Sequence, residues 1–146
     1  MAKFSYRMQS ILNIKWKLEN QAKAAYGAAQ QRYQEQQDKL SQMILRRNRY
    51  EKELKSLMEG ALDMRSIKEA KDAVDSMKVL IRRQMMEVHK AELELEAARK
   101  ALSDVMQERK MHEKLKEKAF EEFKKELLYE EGKEIDGLVS YTYNAK

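Results

Sequence analysis

The sequence has no cysteine and no proline, and only 4 of its 146 residues are glycine. Without cysteine, neither a disulfide framework nor thiolate chemistry is available, which favours the interior of the cell. Without proline, no position forces a helix to end. Aromatic residues are few, at 8%, whereas 38% of the residues are charged. This composition argues against a compact globule and is typical of long helices or a coiled coil.

Long apolar runs are also absent. Nowhere do about 18 apolar residues follow one another, so we expect no membrane span. The N-terminal segment is interrupted by Lys3, Arg7, Lys15 and Lys17, so we expect no signal peptide. The sequence therefore predicts a soluble chain that forms one elongated coiled-coil domain over residues 1–146.

The second half of the chain carries a heptad repeat, with members in alternating steps of three and four. Its members are Ile67, Ala70, Val74, Met77, Ile81, Gln84, Val88, Ala91, Leu95, Ala98, Leu102, Val105, Arg109, His112, Lys116, Ala119 and Phe123. The repeat predicts one helix over about 66–131, on the order of 90 Å long. A polar helix of that length can bury its apolar seam only against a second helical segment of equal length.

The first half predicts such a segment, a helix over about 5–59. Its apolar seam shifts phase by four residues after Ala29, which predicts a stutter in the supercoil. The expected members are Phe4, Met8, Ile11, Leu18, Ala22, Ala25 and Ala29, with Lys15 as the one charged member, followed by Tyr33, Gln36, Leu40, Met43, Arg47, Tyr50, Leu54 and Leu57.

A short turn over about 60–65 is expected to join the two helices. Gly60 can supply a left-handed C-cap, and Ser66 with Glu69 has the spacing of a capping box. A short turn makes the helices antiparallel, with residue numbers that sum to about 126 lying level. Phe4 then faces Phe120 and Phe123. The predicted fold is all-α, an antiparallel coiled-coil hairpin, followed by a flexible tail over about 132–146.

Positive charge is concentrated in the first half. Residues 1–62 hold 12 Lys/Arg against 6 Asp/Glu, whereas residues 63–146 hold 18 against 19. The excess favours an acidic partner surface or nucleic acid. The mixed charge of the second half argues against nucleic acid, so we expect none to bind.

Five arginines form the first candidate binding feature. Under the expected register they lie at one height near the turn, where guanidinium groups can bind carboxylates or phosphates in bidentate fashion. Neutralisation by Asp75, Glu51 and Glu87 is the alternative interpretation. The five are Arg46, Arg47, Arg49, Arg82 and Arg83.

Excess apolar residues near the same turn form the second candidate feature. A two-helix seam buries about two positions in seven, and here neighbours of the seam are apolar too. Exposed residues of this kind mark a docking surface, although a third helix from an oligomer could also cover them. The candidates are Met43, Tyr50, Met77, Leu80, Met85 and Met86.

Signals for catalysis or cofactor binding are lacking. The sequence has no glycine-rich phosphate loop and no nucleophile elbow, and a two-helix hairpin has no enclosed pocket. His89 with Glu92, and His112 with Glu108 or Glu113, are single histidines in charged helices, so we expect no metal site. We therefore expect a protein that is not an enzyme and carries no cofactor.

Four stretches of the chain resemble the flagellar export protein FliJ family. They are Phe4–Leu12, the alanine-rich Gln21–Gln31, Glu113–Lys116 and Glu130–Leu138. The family's C-terminal pattern reads E-x-K-x-x-D-E, and Glu131, Lys133 and Asp136 match it. Gly132 and Gly137 replace the Gln and Glu that are usual there.

The resemblance implies a component of the flagellar type III protein export apparatus, needed for flagellum biogenesis and motility. FliJ-like proteins are antiparallel coiled coils similar to the central stalk of rotary ATPases. They bind the ring of the export ATPase FliI, promote its assembly, and contact the export gate protein FlhA and export chaperones. The resemblance also implies a cytoplasmic location at the inner-membrane export apparatus, reached through protein partners only, and makes Glu131, Lys133 and Asp136 candidate contact residues.

Two alternatives remain open from the sequence. The chain could be a general coiled-coil scaffold or a chaperone for helical clients, without coupling to an ATPase. It could also be the stalk subunit of a rotary proton-translocating ATPase, although such a subunit normally has an additional globular portion.

Overall fold

The computed structural model describes the backbone of residues 3–144 and the side chains of residues 3–139. Two helices occupy this part of the chain, α1 at Gln9–Glu59 and α2 at Met64–Asn144, and no strand is present in it. The two helices pack against each other as an antiparallel coiled-coil hairpin, which confirms the predicted fold class.

The described chain groups into two compact units. One, the turn unit, is Ala22–Leu102, and the other, the terminal unit, combines the chain up to Gln21 with the chain from Ser103 onward. In the turn unit, Gln84 of α2 donates a hydrogen bond to the Gln36 side chain of α1 at 2.7 Å. That the whole chain acts as a single domain stays a prediction.

The predicted seam of α2 is the buried face of this helix. Every expected member from Ile67 to Phe123 is buried or half-buried. Four of them in the turn unit, Val74, Met77, Ile81 and Ala91, are at most 6% exposed. The three-and-four spacing was sufficient to predict this face, because apolar side chains at that spacing share one side of the helix and their burial stabilises the helix pair.

The predicted seam of α1 is partly wrong in its first half. Leu18 is 40% exposed and Ala25 is exposed, whereas Glu19 and Ala29 are only 1% and 3% exposed. Apart from Gln9, Ile11, Gln37 and Ile44, which lie beside the seam, the buried and half-buried positions of α1 form one unbroken heptad, so the predicted stutter is absent. They are Leu12, Lys15, Glu19, Ala22, Tyr26, Ala29, Tyr33, Gln36, Leu40, Met43, Arg47, Tyr50 and Leu54.

Aromatic packing at the start of the chain confirms the expected pairing in the terminal unit. The ring of Phe4 lies 5.0 Å from Phe120 and 5.4 Å from Phe123, measured between ring centroids. The first of these pairs has the edge-to-face geometry that aromatic rings prefer. Helix α1 nevertheless begins at Gln9 rather than near residue 5.

The connection between the helices consists of residues 60–63, and its caps differ from the prediction. Gly60 does not have a positive φ, so it is not a left-handed cap. Asp63 rather than Ser66 caps α2, because its Oδ1 accepts a hydrogen bond from the Arg65 N–H at 3.2 Å and its Oδ2 accepts one from the Ser66 hydroxyl at 2.8 Å. A side-chain oxygen at this position satisfies donors that the first helical turn leaves unpaired.

Helix α2 also continues past its predicted end. It runs to Asn144, whereas the sequence predicted an end near residue 131. Gly132 and Gly137 do not end the helix, because an internal glycine costs only about 1 kcal/mol relative to alanine and no proline follows. The mobility expected for residues 132–146 stays a prediction, and the last two residues lie outside the described part.

We expect replacement of Asp63 by Ala to lower the melting temperature by a few degrees at neutral pH. The hydrogen bond from Ser66, followed by that from the Arg65 backbone, holds the pKa of the Asp63 carboxyl below its ordinary value of 3.8. A lowered folded-state pKa stabilises the protein above the unfolded-state value, and this stabilisation is lost as the pH falls through the lower, folded-state value.

Thermal melts followed by circular dichroism between neutral pH and about pH 3 check this prediction. The control is Asp63→Asn, which keeps a capping side chain without a titrating group. This control variant should retain most of the stability at neutral pH and lose less of it on acidification than the wild type. Equal melting of the wild type and Asp63→Ala at neutral pH would contradict the assigned cap.

Candidate functional site

The five predicted arginines separate into two groups on the turn unit. Arg82 and Arg83 directly precede Gln84, whose side chain also donates to the backbone carbonyl of Gln36 at 2.9 Å. Antiparallel pairing through this contact places them about two to three helical turns from Arg46 and Arg49. The structure therefore corrects the expectation of five guanidinium groups at a single height.

The charges in these groups are mostly not neutralised within the chain. Arg46, Arg49, Arg82 and Arg83 are exposed, and none of them has an ion pair within the described part of the chain. Arg47 differs, because it is half-buried at a seam position and its Nε lies 4.0 Å from Glu51. That Nε is buried without a hydrogen-bond partner among the described residues.

The predicted apolar surface is exposed on one helix and half-covered on the other. On α2, Leu80, Met85 and Met86 are 42%, 51% and 73% exposed. On α1, Met43 and Tyr50 are half-buried in the seam. Large apolar side chains left in water are typical of docking surfaces.

Met77 does not belong to that exposed surface. Its side chain is 5% exposed and lies in the core with Val74 and Ile81. A methionine at a seam position fills space between the helices. The prediction that Met77 is exposed is therefore wrong. Its heptad position places it in the seam, whatever apolar residues lie beside it in the sequence.

An open groove on the outer side of α1 adds residues that the sequence did not single out as binding residues. Lys52 and Lys55 line this groove together with Arg49 and Leu45, of which Leu45 is 63% exposed. Residues spaced by three, four and seven share one helix face. The same spacing on the face opposite the seam could have identified the groove residues from the sequence.

The three C-terminal candidates lie on α2 in the terminal unit. Glu131, Lys133 and Asp136 are all exposed, and the Lys133 ammonium lies 5.4 Å from the centre of the Tyr129 ring. Exposed apolar side chains accompany them on the same helix segment. They are Leu128, Ile135, Leu138 and Val139, each at least 60% exposed.

A buried ion pair in the terminal unit was not found by sequence reasoning. Arg109 donates two hydrogen bonds to the carboxylate of Glu19, at 2.7 and 3.2 Å, and a third to Glu113 at 2.9 Å. Its guanidinium also lies 4.3 Å from the centre of the Trp16 ring. The hydrogen bond with Glu19 is the largest of the causes that raise the pKa of Arg109 above its ordinary value.

A second ion pair lies next to the first in the same unit. The Lys15 ammonium donates to Glu108 at 2.8 Å, and this hydrogen bond lowers the pKa of the Glu108 carboxyl below its ordinary value. Both pairs join α1 to α2, so their role in the structure is to hold the helices together.

Metal and membrane sites gain no support from the geometry of the described residues. His89 and Glu92 lie 3.9 Å apart as an exposed pair on one helix, and no group of three or more His, Asp or Glu in the described part could hold a metal ion. Over the same residues, neither α1 nor α2 includes a segment apolar and long enough to cross a bilayer.

Comparison with known proteins gives one match. The family model described as flagellar FliJ protein matches residues 4–146, nearly the whole chain. Neither the curated proteins nor the solved structures include a match to this sequence. Because the family model covers far more than half of the sequence, the chain belongs to the flagellar FliJ protein family, a family of non-catalytic components of the flagellar export apparatus.

Proposed function

We propose that the chain is a coiled-coil stalk that binds the ring of the export ATPase FliI, promotes assembly of that ring, and links it to the export gate protein FlhA and to export chaperones. In this proposal the protein is not an enzyme. It acts in the cytoplasm, at the cytoplasmic face of the inner-membrane export apparatus, and reaches the membrane only through protein partners.

The observation that carries the proposal is the family match over residues 4–146. The antiparallel coiled-coil hairpin supports it, because a paired helix resists bending better than a single one and suits a stalk. We also propose that the hairpin acts as one elongated domain.

The two units carry surfaces of different chemistry, which supports a division of labour between partners. From residue 126 to residue 139, α2 has five acidic residues and one lysine, with exposed Leu128 and Ile135 among them. The turn unit carries the unpaired arginines and exposed methionines. We assign ring binding to Glu131, Lys133 and Asp136, and gate or chaperone binding to the arginine and methionine surface.

The test is ATP hydrolysis and ring assembly by FliI, measured by a coupled assay and electron microscopy with and without this protein. Stimulated turnover and density within the ring are expected. The variant Glu131→Lys/Asp136→Lys should reduce both effects severalfold, because it reverses the charge of the proposed contact.

A matched control is Glu53→Lys/Glu59→Lys, which reverses two exposed carboxylates without an ion pair in the turn unit. It should stimulate FliI like the wild type. If the wild-type protein changes neither the turnover nor the oligomeric state of FliI, the stalk proposal is wrong.

A general scaffold or chaperone is the second candidate, and the exposed methionines favour it. Met58, Met64 and Met86 are 59%, 72% and 73% exposed, and flexible thioether side chains adapt to varied helical clients. Binding to isolated export chaperones or unfolded export substrates, with no binding to FliI, would support this candidate over the stalk.

A further inference from the structure

The outer face of α2 in the turn unit carries an apolar and basic stripe that no other part of the described chain covers. We call it the outer stripe, and its positions follow one another at helical spacing on the side opposite the buried Ile81 and Gln84. Val79, Met86 and Leu93 are 43%, 73% and 59% exposed. The members are Val79, Arg83, Met86, Lys90, Leu93 and Lys100.

The charge of the outer stripe is uniformly positive. Arg83, Lys90 and Lys100 are exposed and have no ion pair among the described residues, and the stripe contains no carboxylate.

The carboxylates on the flanks are mostly engaged elsewhere. Glu94 pairs with Arg32, Glu96 with Arg99, and Glu92 lies against His89. Glu87 and Asp104 lie four residues after Arg83 and Lys100, but neither has an ion pair among the described residues, so the three cations of the stripe face solvent without a paired carboxylate.

The pattern of the stripe selects a helical partner. Apolar residues seven apart, separated by cations, match a second helix that presents apolar residues at heptad spacing with carboxylates beside them. From Val79 to Lys100 the stripe is about 32 Å long, which corresponds to about three heptads of partner helix.

Other occupants fit the stripe less well. A second copy aligned on the same stripe would bring cation against cation. A membrane surface would favour an apolar face rich in Trp, Phe and Leu with the cations on the opposite face, whereas the stripe has only Leu93 of these and its cations alternate with the apolar residues. Phosphates of nucleic acid would leave Met86 and Leu93 without a partner.

We propose that the outer stripe is the docking site for an acidic amphipathic helix of a partner protein. The proposal deepens the proposed function and rests on it, since it gives the chemistry by which the turn unit recognises a component of the export apparatus. It adds Lys90, Leu93 and Lys100 to the arginines and methionines of that surface.

The test uses the full chain and a fluorescein-labelled synthetic peptide of three heptads, with Leu at the apolar positions and Glu at the flanking ones. A matched peptide carries Lys in place of Glu. Fluorescence anisotropy at low and high salt should show saturable binding of the acidic peptide only. Arg83→Glu/Lys90→Glu and Met86→Ser should each weaken this binding at least about tenfold, and the charge reversal should allow the basic peptide to bind.

The matched control is Lys17→Glu/Lys110→Glu, which reverses two exposed, unpaired lysines in the terminal unit. It should bind the acidic peptide like the wild type. Equal loss in this control, no binding of the acidic peptide, or no effect of Met86→Ser would overturn the proposal. Sedimentation that shows a wild-type dimer, lost in Met86→Ser, would assign the stripe to a second copy and overturn it as well.

The FliI assay on the same variants separates the two proposals. Peptide binding without stimulation of FliI by the wild type would refute the stalk function and leave the docking site. Stimulation of FliI by the wild type without peptide binding would refute the docking site and leave the stalk function.

Discussion

Replacement of Arg109 by Met is expected to lower the melting temperature by about 10 °C, because it removes two hydrogen-bond donors from a buried carboxylate. Glu19 is 1% exposed, and Arg109 donates two hydrogen bonds to it. Loss of these two hydrogen bonds raises the cost of keeping the buried Glu19 carboxylate charged in the seam. Met conserves much of the arginine's volume, so the effect reports the lost pair and not a large cavity.

The control for this prediction is the same substitution at an exposed pair. Arg99→Met removes the partner of Glu96 and should change the melting temperature by no more than about 1 °C, because exposed ion pairs contribute little. The double variant Glu19→Leu/Arg109→Met should recover most of the stability, since it leaves no carboxylate buried at position 19, and Glu113, which also loses Arg109, is partly exposed. A double variant no more stable than Arg109→Met alone would argue against the buried Glu19 charge as the cause.

Replacement of Ile81 by Ala is expected to lower the free energy of unfolding by about 2–5 kcal/mol, the range for an apolar side chain truncated in a packed core. Ile81 is 4% exposed and lies between Met77 and Gln84 on the buried face of α2. Urea unfolding followed by circular dichroism gives the free energy directly.

The neighbouring residue provides a matched control. Leu80 is 42% exposed, so Leu80→Ala should cost about 0.5 kcal/mol or less. Similar losses for the two variants would mean that Leu80 is covered in solution, for example by a second chain.

The face of α2 that packs on α1 could be predicted because its heptad is carried mostly by apolar residues. The first half of α1 could not be predicted in the same way. There, Lys15 was predicted correctly, but Leu18 and Ala25 were predicted as seam members where Glu19 and Tyr26 hold the seam positions. Burial of the Glu19 carboxylate depends on its pairing with Arg109, which lies 90 residues away in the sequence, so the local pattern does not reveal it.

The helix boundaries were predicted less well than the pairing. Gly60 predicted a left-handed cap that the structure does not show. Gly132 lies within α2, because glycine tolerates helical backbone and only lowers its stability. Ser66 and Glu69 have the spacing of a capping box, so the sequence favoured Ser66 over Asp63 as the cap of α2. Which of several polar residues caps a helix depends on where the first turn begins, and packing decides that.

For the candidate site, the exposure of single side chains was easier to predict than the position of one residue group relative to another along the hairpin. Met85 and Met86 are exposed because they lie off the heptad seam, and Met77 is buried because it lies on it. The spacing between the two arginine groups depends on the pairing between helices, which a single sequence determines only to within a few residues.

The polar character of the terminal unit has a consequence for local unfolding. Its seam includes Lys15, Glu19, Arg109 and Lys116, and His112 has a buried Nδ1 without a hydrogen-bond partner among the described residues. The turn unit relies on Val74, Ile81 and similar apolar residues instead. Backbone amides of the terminal unit should therefore exchange with deuterium faster than those of the turn unit, and added salt should widen the difference. The helices of such a hairpin can separate at their free ends while the turn keeps them paired.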